Sequence, residues 1–362
     1  MPSLVPNSTE KSAYAAAGVD IEAGDRAVEL MKEWVAKAQR PEVMGGIGGF
    51  AGLFDASALA QRNHPVLATS TDGVGTKVAI AQALDRHDTI GFDLVGMVVD
   101  DLVVCGAEPL FMTDYIACGK VDPERIAAIV QGIAAACSEA GCALVGGETA
   151  EHPGLLAPHE YDLAGAATGV VDKDMILGPD RVRPGDVVLA MESSGLHSNG
   201  YSLVRHVLDA QSSWTLDRYV PDLGRTLGDE LLTPTRIYAR DCLALIDAVE
   251  VHAMSHVTGG GLASNLARVI PDSCQVQIDR ATWRPAAIFR LMERLGEISH
   301  SDLEATFNMG VGMVAIVSPD SVDEAVALLA GRGLRCWICG SVGPAMSGGG
   351  GTVSLLGAYA AS

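Results

Sequence analysis

The stretch HPVLATSTDGVGTK, residues 64–77, runs from β-forming residues into a loop of glycines, a threonine and a lysine. Such loops cradle phosphate, but this one has neither the G-x-x-x-x-G-K-[ST] nor the G-x-G-x-x-G spacing. That excludes a P-loop or a Rossmann reading of an α/β chain. Asp72 stands where a bare phosphate would be repelled. The acid suits a metal-bound polyphosphate, because Mg²⁺ takes one or two carboxylates together with phosphate oxygens. Gly73 and Gly75 would then let backbone N–H groups approach, and Lys77, next to Thr76, would supply the point charge. The competing reading is a plain Asp-Gly turn between strands.

Outward from this loop, strands and helices alternate. DIEAGDRAVELMKEWVAKA, residues 20–38, has the apolar spacing of a helix, with Lys32 and Lys37 on its solvated side. Residues 89–104 are predicted to form a helix stopped by Gly106 and Pro109, and residues 110–117 a strand. Asp122 and Pro123 open another helix, which Gly141 closes. The pattern restarts after an apolar strand gives way to charge between Val171 and Ile176, the expected domain boundary. A Gly tract marks the end of the chain.

The 362 residues, 48% of them hydrophobic, can bury two cores. With 45 acidic against 25 basic residues, the net charge of −20 argues against nucleic acid as a partner. No apolar run spans a bilayer and no signal-like segment opens the chain, so a cytoplasmic protein without membrane contact is expected. The eight cysteines are read as buried thiols. Cys336 and Cys339 have C-x-x-C spacing, but β-formers surround them and no second pair exists for a zinc site.

Three further clusters could do chemistry. In GFDLVGMVVDDLVV, residues 91–104, Asp93, Asp100 and Asp101 interrupt an apolar helix. Asp93 and Asp100, seven apart, share a face. Buried charges need partners, and shared metal binding supplies one. LVGGETAEHPG, residues 144–154, puts Glu148 and Thr149 past a strand end, where ligands meet α/β folds, or in an acidic loop. SSGLHSNG, residues 193–200, carries His197, Ser198 and Asn199 into a helix start, and Gly259, Gly260 and Gly261 repeat that design. Both suit anions. Asn199 alone could be an N-cap, and His197 a proton carrier, a phosphate donor or an ordinary loop histidine.

In order along residues 14–345 stand YAAAGVDIEAGD, RPEVMGGIGGF, TDGVGTK, HDTIGFDLV, DLVVCGAEPLF, ALVGGETAEHPG, HSNGYSLVR, PTRIY, TGGG and FNMGVGM. This set resembles the phosphoribosylformylglycinamidine cyclo-ligase (aminoimidazole ribonucleotide synthetase) family. The resemblance implies a two-domain α/β (α+β) fold. Residues 1–171 would form an ATP-binding and dimerisation domain whose strands build a barrel with a partner subunit's. Residues 172–345 would form a C-terminal α/β sandwich, and residues 346–362 a Gly-rich tail. It also implies a homodimer that uses ATP and Mg²⁺ to close formylglycinamidine ribonucleotide into 5-aminoimidazole ribonucleotide.

Carried over by position, the resemblance assigns Lys32, Asp72, Gly73, Gly75, Thr76, Lys77, Asp93, Asp101, Glu148 and Thr149 to the nucleotide. The metal would fall to Asp72, Asp100 and Asp101, and the substrate to Ser198, Asn199 and Gly259 to Gly261. His197, Asp101 and Lys32 would be catalytic. Asp100 departs from the family pattern, which has Asn there. Thiamine-monophosphate kinase, selenophosphate synthetase and hydrogenase-maturation dehydratase share the implied fold. The latter two call for a reactive cysteine near one end of the chain, whereas the first cysteine here is Cys105 and the sequence closes on AYAAS. A nucleotide-binding regulator that has lost catalysis would have eroded acids or an eroded HSNG loop, and neither is found.

Overall fold

A computed structural model describes residues 21–46, 49–346 and 350–360. The N-terminal part comprises α1 (Ile21–Lys37), the short β1 (Val43–Met44) and β2 (Leu53–Phe54), β3 (Pro65–Gly73), α2 (Val78–Leu84) and α3 (Ile90–Val103). It continues through β4 (Glu108–Cys118), α4 (Pro123–Ala140), β5 (Ala143–Glu151) and β6 (Tyr161–Asp172). Local chemistry sets these limits. Asp122 accepts a hydrogen bond from the Arg125 N–H, Pro123 occupies the first helical position, and Gly141 leaves α4 at φ 78°. Strand β4 begins earlier than expected, because Pro109 is accommodated at an irregularity in its pairing with β6.

These strands form a four-stranded sheet in the order β3-β6-β4-β5, antiparallel except for β4 and β5, which the α4 crossover makes parallel. One face is buried under the helices: Tyr161, Leu163 and Ala167 of β6 point inward, and Gly91 brings α3 against the backbone of α4 at Ile133. The other face is open. Leu67 is 62% exposed and Tyr115 41%, with Ala164 and Ala166 exposed between them.

The C-terminal part contains β7 (Val187–Glu192), α5 (Tyr201–Asp209), a small hairpin of β8 (Tyr219–Val220) and β9 (Arg225–Thr226), α6 (Leu227–Leu231) and α7 (Ala239–Ala248). Then come β10 (Val251–His256), α8 (Gly261–Ala267), β11 (Cys274–Asp279), α9 (Ala287–Gly296), α10 (His300–Thr306), β12 (Val311–Val317), α11 (Val322–Gly331), β13 (Cys336–Pro344) and β14 (Thr352–Leu356). The sheet order is β10-β12-β7-β13-β11-β14. Every residue of β10 and β12 is buried, because helices cover both faces. Leu189 and Met191 join one core, and Val188 and Ala190 the other.

Residues expected to form a separate tail instead extend this sheet, since β14 pairs in parallel with β11 from Gln275 and Thr352 onward. Cys336 and Cys339 are free thiols in β13. No helix among the described residues is long and apolar enough to cross a membrane.

Candidate active site

The phosphate-like loop turns the chain from the end of β3 into α2. Gly75 takes the left-handed conformation, φ 71°, that the turn needs. Asp72, Asp101 at the end of α3 and His256 at the end of β10 converge where the two parts of the molecule meet, close enough for their charges to act on one another. The Asp101 carboxylate bonds His256 Nδ1 at 3.0 Å and remains 45% exposed. Partial burial and the neighbouring Asp101 hold Asp72 above the usual carboxylate range. Burial pulls His256 down, but the hydrogen bond to Asp101 and the charges of Asp100, Asp101 and Asp72 outweigh it, so the imidazole sits above its ordinary value. His256 Nε2 is buried with no partner among the described residues. Sequence reading missed His256, although a histidine closing a buried strand directly before TGGG was the available signal.

Asp100 and Asp101 are neighbours on a helix, about 100° apart around its axis. One therefore faces the core when the other faces outward. Asp100 is fully buried, accepts from the Tyr238 N–H at 3.0 and 3.2 Å, and is pushed up to about 7 by that burial. The expectation that it ligates a metal is corrected: its oxygens serve the backbone.

Lys77 and Asp93, expected at the nucleotide, are also placed in the interior. Asp93 does share the buried face with Asp100, but its partner is Lys77 Nζ at 2.6 Å, with Thr235 Oγ1 at 2.7 Å and the Thr235 N–H at 3.0 Å. Lys77 is wholly buried and gives its other hydrogen bonds to the carbonyls of His197 and Thr233. Burial pushes Asp93 up and Lys77 down, and their pairing resists both shifts. Lys77 thus bolts the loop to the C-terminal part instead of offering charge to a phosphate. The Gly73 N–H is likewise taken by the Asp72 carboxylate at 2.7 Å.

The two glycine loops meet directly. Asn199 Oδ1 accepts from the Gly259 N–H at 3.0 Å, while Gly200, not Asn199, occupies the N-cap position of α5. Ser198 Oγ donates to the Val74 carbonyl at 2.7 Å, and Thr76 Oγ1 lies 3.1 Å from Ser202 Oγ. Gly260 and Gly261 are both left-handed, at φ 94° and 72°, opening α8. His197 is buried, and its Nε2 accepts from the Ser194 N–H at 3.2 Å. Burial holds it well below its ordinary value, so it is neutral with its proton on Nδ1, an atom with no partner among the described residues.

Lys32, Glu148 and Thr149 are not part of this cluster. Lys32, ion-paired with Glu29 on α1, borders a cavity of about 300 Å³ with Gln39, Gly45, Gly52 and Val145. Glu148 and Thr149 line another of about 250 Å³ with Asp114 and Met31. Register fixes the separation: Asp72 pairs with Gly165, Gly165 with Asp114, and Asp114 with Gly147. Three strand spacings amount to about 14 Å between the β3 and β5 edges. One metal cannot bridge that gap within a chain. No group of three or more His, Cys, Asp or Glu suited to hold a metal occurs among the described residues.

The Asp114 side chain makes no hydrogen bond to another described residue, and its carboxyl fills the space that a side chain at Gly147 would take. Burial pushes it up to about 7. Its folded-state value exceeds the ordinary 3.8, so the folded form holds the proton more tightly. The associated stability is complete below about pH 4 and is lost as pH rises toward 7. Asp114→Asn is expected to stabilise the protein by about 1–2 kcal/mol at pH 8 and to change little at pH 4.5. Thermal melts at the two pH values check this, and equal shifts at both would refute it.

Two family models match the chain: "AIR synthase related protein, N-terminal domain" over residues 54–171, and "AIR synthase related protein, C-terminal domain" over residues 183–350. The phosphoribosylformylglycinamidine cyclo-ligase of Geobacillus kaustophilus is 51% identical over 342 residues, covering 93% of this chain and 99% of that protein. The enzyme of the same name from Anaeromyxobacter dehalogenans is 52% identical over 335 residues, 91% of this chain and 95% of that one. Among solved structures, thiamine-monophosphate kinase from Stenotrophomonas maltophilia aligns with a TM-score of 0.65 at 20% identity, over 91% of this chain and 96% of that one. Hydrogenase maturation protein HypE in complex with ATP aligns with a TM-score of 0.65 at 18% identity, over 92% and 90%. At such identities these two structures bear on the fold alone.

Proposed function

The chain belongs to the phosphoribosylformylglycinamidine cyclo-ligase family, and from that premise we propose how its residues carry out the family's reaction. The reaction is the ATP-dependent closure of formylglycinamidine ribonucleotide to 5-aminoimidazole ribonucleotide, with release of ADP and phosphate, a step of purine biosynthesis. The observation that carries the reading is the cluster of Asp72, Asp101 and His256 at the meeting of the two parts of the molecule, with His256 leading into one of two hydrogen-bonded glycine loops.

An amide oxygen is a poor leaving group. Phosphorylating the formyl oxygen turns it into one, and the neighbouring amidine nitrogen then attacks the same carbon within the molecule, forming the C–N bond as phosphate departs. Such chemistry asks for positioning and charge neutralisation more than for a covalent nucleophile. Asp72 and Asp101 are the carboxylates suited to Mg²⁺, which when bound neutralises phosphate charge. Two carboxylates meet its demand if phosphate oxygens and water complete the shell, and Asp72 and Asp101 are like charges close enough to act on each other, which a cation would relieve. The buried His197 Nδ1–H is a neutral donor left without a partner among the described residues, and with Ser198, Asn199 and Gly259 to Gly261 it is assigned to the substrate or its phosphate.

Lys32, Glu148 and Thr149 enter through a second copy of the chain. A partner docked on the open face of the β3-β6-β4-β5 sheet would cover Leu67 and Tyr115 and bring its β5 edge to this subunit's Asp72 edge. Mixing Asp101→Asn with Glu148→Gln chains tests this. If the site is shared, half the dimers are mixed and each has one intact site, so activity recovers to about a quarter of wild type. If each site lies within one chain, nothing is recovered. The cytoplasm is the compartment that fits the free thiols and the reaction.

ADP release that requires formylglycinamidine ribonucleotide tests the assignment as a whole. Release driven by thiamine monophosphate instead would place the chain with the kinases of this fold.

A further inference from the structure

We infer that the C-terminal segment, residues 352–360, positions the His197 loop, with Tyr359 and Trp283 as the positioning residues. The C-terminal family model ends at residue 350, so this segment lies beyond the matched region. Strand β14 carries the chain along β11 and delivers Tyr359 to the edge of Trp283, with ring centroids 5.0 Å apart at 74°. The Ala360 N–H bonds the Trp283 carbonyl at 3.1 Å. Tyr359 Oη donates to Glu304 at 2.8 Å, and Glu304 holds Arg280 through two hydrogen bonds of 2.6 and 2.7 Å. The same guanidinium donates to the Leu355 and Gly357 carbonyls, so the segment is held at its middle as well as at Tyr359 and Ala360.

From there the contacts lead inward. Trp283 Nε1–H donates to the Met309 carbonyl at 2.9 Å, and both residues are buried. Met309, at φ 50°, lies in a turn of backbone that a non-glycine residue adopts only when its surroundings hold it there. Its neighbour Asn308 reaches the other loop: Nδ2 donates to the Gly195 carbonyl at 2.9 Å, and Oδ1 accepts from Ser193 Oγ at 3.1 Å. Gly195 is two residues from His197. The TGGG loop is supported from the same side, because a side chain at Gly261 would meet the Glu304 carbonyl at 1.7 Å. An aromatic contact and a backbone hydrogen bond tie the segment to Trp283, and the indole hydrogen bond of Trp283 connects it to the turn that braces the substrate loop.

The kinetic consequence rests on the function proposed above, while the structural consequence does not. In hydrogen–deuterium exchange on the ligand-free protein, Tyr359→Ala and Trp283→Phe should each speed exchange of the amides at 193–199 and 308–310. Both variants should raise KM for formylglycinamidine ribonucleotide roughly fivefold, about the worth of one hydrogen bond, and leave KM for ATP within about twofold. Tyr359→Phe, which keeps the ring on Trp283, should fall between them and wild type. Unchanged loop exchange in a folded Tyr359→Ala protein, or KM values that rise together for both substrates, would overturn the inference. A wild-type chain without substrate-dependent ADP release would count against the function, and loop exchange would still decide this point.

Discussion

Asp101→Asn is expected to lower kcat/KM for Mg-ATP about a hundredfold or more while leaving the melting temperature within about 2 °C of wild type. The two effects separate because of where the carboxylate sits. It is 45% exposed, and its side-chain partner among the described residues is His256 Nδ1 at 3.0 Å, to which an asparagine oxygen can still offer an acceptor. A pair so open to solvent contributes little to folding. What the substitution removes is the negative charge that acts on Asp72, the charge a cation would answer. Turnover measured at limiting Mg²⁺ checks the point, and a variant with wild-type turnover there would show that Asp101 holds no metal. Asp100→Asn reports on something else, since that side chain serves the Tyr238 backbone.

Lys77→Met should cost about 3–5 kcal/mol of stability, enough to lower the melting temperature by many degrees, because it strands a buried carboxylate. Asp93 would keep its Thr235 hydrogen bonds but lose the ammonium at 2.6 Å, and neither side chain is exposed to solvent. Adding Asp93→Asn to that variant should recover much of the loss, since two neutral groups need no counter-charge. Denaturant melts of both single variants and the double variant measure this coupling. If Lys77→Met instead stayed as stable as wild type and lost only ATP binding, the lysine would belong to the ligand after all.

The contrast between these two residues shows what the sequence could carry. Helix limits were readable where a local signal fixed them, as Asp122, Pro123 and Gly141 fix α4. The acid cluster was readable as a cluster. Its division into Asp101 at the site and Asp93 and Asp100 in the core followed from helix phase, a local property that could have been applied to all three. Lys77 was beyond such reading, because the carbonyls that bury it come from residues 120 and 156 positions further along the chain. The same holds for Lys32 and Glu148. Nothing in their own motifs reveals that the sheet order sets β5 at the edge opposite β3. The Gly tract led to the expectation of a tail, yet the residues after it alternate in burial and complete a sheet, as their β-branched and apolar character allows.

The account's central claim is that the site serves to phosphorylate the substrate's formyl oxygen so that ring closure can expel it. Without that step the closing ring would have to shed hydroxide or water, and ATP would have no chemical role. The most direct measurement is to label the formyl oxygen of formylglycinamidine ribonucleotide with a heavy isotope and follow it through one turnover with Mg-ATP. The account predicts the label in inorganic phosphate, in step with ADP. Label found wholly in water, with ADP still formed, would contradict it.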